Sequence, residues 1–160
     1  MRDLPPWLKQ ATVWLLLALG VFLGVQAWLA RQQATRFVVQ GGSIEIQRSG
    51  DGHYHWPGRI NGRAVEFLVD TGATSTAIPK RLARELGLQA LGTVHSGTAG
   101  GVVQGEVVMA DLDLEGGVRA DRLRLTSLPG LDSPLLGMDV LGRLHWQQNA
   151  GLLRIELAPR

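Results

Sequence analysis

Residues 64–75 read Ala64-Val65-Glu66-Phe67-Leu68-Val69-Asp70-Thr71-Gly72-Ala73-Thr74-Ser75, an apolar run that stops on a carboxylate. Val, Phe and Leu in close succession suit a largely buried strand. An aspartate directly after Phe-Leu-Val is costly to bury unless it has partners. It is either a strand-end turn residue bonding its own backbone or a carboxylate held there for chemistry. Gly72 permits a tight turn and the close approach of another chain or a substrate. Thr71 and Thr74 supply hydroxyls that can hold such a turn.

Working upstream, Asn61-Gly62 separates residues 53–60 from 63–69 and is a strong hairpin signal. Before it, Ser43-Ile44-Glu45-Ile46-Gln47 alternates with period two, and Ser49-Gly50-Asp51-Gly52 is a turn cluster. Downstream, Pro79-Lys80-Arg81-Leu82-Ala83-Arg84-Glu85-Leu86 reads as a helix, with Gly87 as its stop. Strands are expected over 91–98 and 102–114, as a hairpin around Ala99-Gly100-Gly101. Leu123–Leu125 and Leu135-Leu136 are short apolar strands, and residues 138–144 form a brief helix. A last hairpin joins 145–147 to 152–157 around Asn149-Ala150-Gly151. The 21 glycines, spread through the chain, fit short strands and tight turns. The domain of 43–160 is therefore expected to be all-β, with one or two short helices.

Three features now stand in order along that domain. Val69-Asp70-Thr71-Gly72-Ala73 resembles the active-site loop of the retropepsin-like (clan AA) aspartic proteases. Leu135-Leu136-Gly137, leading into Met138-Asp139-Val140-Leu141, resembles their second signature. The hairpin around Ala99, Gly100 and Gly101 occupies the place of their flap, although a hairpin there is also simply a turn. The resemblance implies a small closed β-barrel or sandwich. It also implies an endopeptidase in which two aspartates hold a water and share one proton, because two carboxylates about 3 Å apart cannot both ionise. Asp70 is the implied catalytic residue, and Thr71, Gly72 and Ala73 complete its loop. No second Asp-Thr-Gly exists in the chain. The expected partner is a second copy, a homodimer with one Asp70 from each protomer. The expected substrate is a protein or peptide. Asp139, after Gly137, reads most simply as a cap or first-turn residue of the short helix. Residues 128–134 form a turn-rich loop that is expected to border the substrate groove.

The N-terminal third differs in kind. Residues 12–30 carry one strongly polar side chain, Gln26, and as a helix would run about 28 Å, close to a bilayer's hydrocarbon thickness. Trp7, Trp14 and Trp28 lie near the ends. Residues 1–30 are read as a transmembrane signal-anchor, with Val25-Gln26-Ala27 as a candidate cleavage site in the competing signal-peptide reading. Residues 31–42, ending in Gly41-Gly42, are read as a linker. The apolar helix resembles a bacterial subgroup of the same clan, anchored singly in the inner membrane with its protease domain in the periplasm.

The absence of cysteine excludes a thiol nucleophile, a disulfide framework and a thiolate metal site. A net charge of +2 with no block of like charge leaves no nucleic-acid footprint. His53 and His55 share a strand face, but zinc needs at least a third protein ligand, and His95 and His145 lie far away in sequence. No metal and no cofactor are expected. The rival to an enzyme is a catalytically silent, membrane-tethered peptide-binding or dimerisation module with the same fold.

Overall fold

The computed structural model describes residues 6–34, 37–98 and 100–157, without the side chains of 6, 8, 9, 27–34 and 40. The chain divides into two compact units, 1–36 and 37–160. The first is helix α1, Pro6–Ala34, 29 residues long. Its consecutive residues Trp14, Leu15, Leu16 and Leu17, and again Val21, Phe22 and Leu23, are all exposed, so apolar groups surround it. Among the described residues, no helix is long and apolar enough to cross a membrane.

Among the described residues, the second unit holds eleven strands and two short helices. Strands β1 (Phe37–Gln40), β2 (Ser43–Gln47), β10 (His145–Asn149) and β11 (Leu152–Glu156) form one antiparallel sheet, in the order β1-β2-β11-β10. The alternation read in β2 is real: Ile44 and Ile46 are fully buried, while Ser43, Glu45 and Gln47 are not. The stretch 31–42, expected as a linker, holds the end of α1 and the whole of β1, whose pairing with β2 closes through the Gly41-Gly42 turn.

The larger sheet comprises β3 (His55–Ile60), β4 (Arg63–Val69), β5 (Ala77–Pro79), β6 (Gly92–Thr98), β7 (Gly101–Leu114), β8 (Val118–Leu128) and β9 (Leu135–Leu136). Its order is β3-β4-β9-β5-β8-β7-β6, and a further pairing of β3 with β7 closes it into a barrel. Asn61 (φ 48°) and Gly62 (φ 83°) turn β3 into β4, the left-handed pair that a tight hairpin demands. Trp56 and Phe67 face each other across that hairpin and are fully buried, with Ile60, Ile78, Leu125 and Leu136. The Trp56 indole N–H is satisfied by the Glu115 carbonyl at 2.9 Å. Such side chains each stabilise the fold by about 1.5–3 kcal/mol.

Helix α2 (Lys80–Glu85) starts after Pro79 and ends before Gly87 (φ 65°). Helix α3 (Met138–Leu141) is shorter than its expected span. Strand β5 was not expected, and β8 extends well beyond 123–125. The domain is all-β with few helices, as the sequence implies.

Candidate active site

Asp70 directly follows β4 at the point where that strand meets β9. The two strands run parallel, Leu68 opposite Leu135 and Val69 opposite Leu136. The Asp70 N–H donates to the Leu136 carbonyl at 3.0 Å, and the Leu68 N–H to the Pro134 carbonyl at 2.8 Å. Asp70 Oδ1 accepts the Gly72 N–H at 2.9 Å, and the Asp70 carbonyl accepts the Ala73 N–H at 3.3 Å. The turn-forming role of this aspartate is thus present. It uses one carboxylate oxygen; Oδ2 makes no hydrogen bond among the described residues.

The loop after Asp70 is fastened from behind by the second signature. Met138 N–H donates to the Ala73 carbonyl at 2.8 Å and Asp139 N–H to the Thr74 carbonyl at 3.2 Å. Gly137 crosses so closely that a Cβ there would sit 2.5 Å from the Ser75 carbonyl carbon and 2.8 Å from the Thr76 nitrogen. Its N–H donates to Thr76 Oγ1 at 3.2 Å.

Asp139 lies in the first turn of α3, as its position suggests, but it does more than cap. Its Oδ1 accepts the Thr76 hydroxyl at 2.7 Å, the Thr76 N–H at 2.9 Å and the Val140 N–H at 3.0 Å. Thr76 is fully buried and Asp139 half-buried, so these bonds are partly shielded from water. The Thr76–Asp139 lock, bridging 63 positions of sequence, was missed in the sequence, which holds no spacing signal for it.

Asp70, Gly72, Ala73, Thr74 and Ser75 form one side of an open groove of about 660 Å³. Strand β6 contributes Val94, His95, Ser96, Gly97 and Thr98 to the same groove, and Ala77, Thr126, Leu128, Leu131 and Leu135 complete its lining. Leu128 and Leu131 come from the 128–134 loop, which does border the groove. Among the described residues, Asp70 is the single carboxylate in the lining. Of the hairpin tip, Gly100 and Gly101 are described and exposed, and Ala99 lies outside the described residues. Thr71 does not line this groove; it faces a separate cavity. Leu135 reaches the groove, whereas Leu136 is buried beneath it.

His53 and His55 lie elsewhere, around Asp51. His55 lies between two carboxylates, Nε2 at 2.7 Å from Asp51 and Nδ1 at 3.0 Å from Glu66. The His53 N–H on Asp51 Oδ1, with His55 adding to it, holds the Asp51 carboxyl below the usual carboxylate range. Among the described residues, no group of three acidic or histidine side chains is placed to hold a metal ion.

Comparison with known proteins bears on this geometry. The sequence pattern described as gag-polyprotein putative aspartyl protease matches residues 56–143, from β3 through α3. An uncharacterised protein of Rickettsia prowazekii (strain Madrid E) is 34% identical over 106 residues, which cover 64% of this chain and 46% of that protein. The chain thus spans about half the length of the curated relative it matches. The crystal structure of a retropepsin-like aspartic protease from Rickettsia conorii superposes with a TM-score of 0.60 at 27% identity, over 74% of this chain and 94% of that one. The EIAV protease, complexed with an inhibitor, superposes with a TM-score of 0.50 at 18% identity, over 61% and 93% of the two chains, a likeness of fold alone.

Proposed function

The chain belongs to the gag-polyprotein putative aspartyl protease family, of retropepsin-like fold, and from that premise we propose that it is an aspartic endopeptidase whose catalytic carboxylate is Asp70. The observation that carries this reading is the position of Asp70: it lines an open groove, and one of its oxygens has no partner among the described residues.

One chain supplies one such carboxylate, so the working site takes a second Asp70 from another protomer across a two-fold axis. The pair holds a water between them and shares one proton. The ionised member takes a proton from the water as it attacks the scissile carbonyl, and the protonated member donates to that carbonyl oxygen. Thr71, Gly72 and Ala73 hold the loop in register. The β6–β7 hairpin, with Gly100 and Gly101 at its tip, serves as the flap that closes over a protein or peptide substrate. No cofactor takes part.

The proposal extends to placement. In this reading helix α1, about 43 Å long at 1.5 Å per residue with exposed apolar side chains from Val13 to Val25, tethers the protease domain to a bacterial inner membrane, with the domain in the periplasm. Tethering raises the local concentration of protomers that must pair.

The test uses purified residues 37–160 and the same unit carrying Asp70→Asn, each incubated with an unstructured protein at acidic to neutral pH. The wild type cleaves, and the variant falls by about a thousandfold or more while keeping its circular dichroism. A wild type that is dimeric and inert overturns the reading and leaves the silent module; equal cleavage by both forms removes Asp70 from the chemistry.

A further inference from the structure

Strand β8 carries Arg119, Asp121, Arg122 and Arg124. A regular strand would send Arg122 and Arg124 to one face and Arg119 to the other, because side chains alternate. The strand does not stay regular. Ala110 pairs with Leu123 and Leu112 with Ala120, so Asp111 of β7 stands opposite two residues, Asp121 and Arg122. This β-bulge shifts the alternation by one position. Arg119, Arg122 and Arg124 all come out exposed, while Leu123 and Leu125 stay buried. The bulge is pinned. Asp111 Oδ1 accepts the Arg122 N–H at 2.7 Å, Asn61 Oδ1 accepts the Asp111 N–H at 2.9 Å, and the Asn61 N–H donates to the Asp111 carbonyl at 3.0 Å. Arg122 is held there at φ 49°, a left-handed backbone that side chains disfavour.

Arg143, just past α3, joins these three around an open cavity of about 550 Å³ that shares no described residue with the groove. The carboxylates in its lining, Asp121 and Asp139, are fewer than the guanidinium groups, and Asp139 Oδ1 is already committed to Thr76 and Val140. Arg119 reaches Asp113 at 2.9 Å. The guanidinium groups of Arg122, Arg124 and Arg143 have no hydrogen bond or ion pair among the described residues. Like charges gathered in this way repel one another unless an anion joins them.

We propose that this arginine face is a docking surface for an anionic bilayer, its guanidinium groups taking the phosphate headgroups of acidic lipids. A guanidinium fork matches a phosphate in shape and charge, two N–H groups to two oxygens. The four arginines are exposed and spread out, Arg122 and Arg124 standing about 7 Å apart along the strand. A spread, solvent-open set suits several phosphates in a plane, whereas one small anion needs donors that converge on it. The choice of lipid as the source of phosphate rests on the reading of α1 as a tether. Only positions 35 and 36 separate α1 from β1, so a domain tethered in this way works within reach of headgroups. Each arginine at such a surface strengthens binding about fivefold.

The buried core lies wholly between Ile44 and Ile155, so the domain keeps it without α1 and is tested alone. Purified residues 37–160 are sedimented at low salt with vesicles of phosphatidylcholine, and with vesicles containing about one-third phosphatidylglycerol. The domain binds the acidic vesicles about tenfold or more better than the neutral ones, and about 0.5 M salt removes the difference. Arg124→Gln with Arg143→Gln weakens that binding about tenfold or more. Arg59→Gln with Arg84→Gln, an equal loss of exposed charge outside the cavity, changes it less than about twofold, and both pairs keep the urea midpoint. Equal losses from the two pairs would show net charge alone at work and overturn the site, as would equal binding to neutral vesicles. Binding of inorganic phosphate, followed by the chemical shifts of these arginines, without sedimentation on acidic vesicles would give the cavity to a soluble anion and overturn the docking surface. The test reads neither cleavage by Asp70 nor insertion of α1, so its failure is separate from theirs.

Discussion

The two sides of the groove are built in opposite ways. The loop side, residues 70–76, is tied to 136–140 by six hydrogen bonds from five residues, counting the Asp70, Met138 and Asp139 N–H groups, the Gly137 N–H and the two from Thr76. Its centre, Thr76, is fully buried. The facing strand β6 is mostly exposed and, among the described residues, pairs only with β7, from Thr98↔Gly101 at the tip to Gly92↔Val107 at the base. A catalytic carboxylate must be held within fractions of an ångström, whereas a wall over a peptide must open and close. Under the proposed reading, the difference in bonding is the difference in task.

That contrast predicts unequal responses to small changes. Gly137→Ala is the most damaging, because the new methyl strikes backbone, which cannot move aside. We expect a loss of about 3 kcal/mol or more in urea unfolding; an unchanged midpoint would show that the loop is not clamped there. Thr76→Val keeps the volume but removes the hydroxyl shared by Asp139 and the Gly137 N–H, and should cost about 2–3 kcal/mol. The same variant should lower peptide hydrolysis more than its stability loss explains, if the lock positions Asp70. On the facing wall, Gly101→Ala meets open space and incurs only backbone strain at φ 110°, about 1 kcal/mol. Its effect should show in substrate capture, as a raised KM, with little change in the urea midpoint. If it unfolds the domain as readily as Gly137→Ala, the two sides are not distinct.

Much of this architecture is legible in the chain where the signal is local. Asn61-Gly62 announces its hairpin because few residues other than Asn and Gly accept both left-handed positions. Ile44 and Ile46 announce β2 because a half-buried strand alternates. The Asp70 loop and Leu135-Leu136-Gly137 are each short, and their order with the hairpin between them carries more than either alone. What escaped is what only distant pairing creates. Strand β5 has three residues, too few for any period, and exists because Ala77 pairs with both Thr126 and Leu135. Most of β8 hid behind Arg119, Arg122 and Arg124, exposed residues that break an apolar reading; a register shift opposite Ala110 and Leu112 accommodates it in the sheet. Strand β1 needs β2 beside it. Asp139 was legible as a first-turn residue but not as the partner of Thr76, since nothing in either neighbourhood points to the other.

The central claim is that catalysis needs one Asp70 from each of two chains. Wild-type protein mixed with an about ninefold excess of Asp70→Asn, with protomers exchanged by dilution and reconcentration, tests it directly through the rate of peptide cleavage per wild-type chain. A shared dyad predicts a fall to about one-tenth, because most wild-type protomers then pair with an incomplete partner. A rate per wild-type chain that does not change would contradict the account and place the whole catalyst within a single protomer.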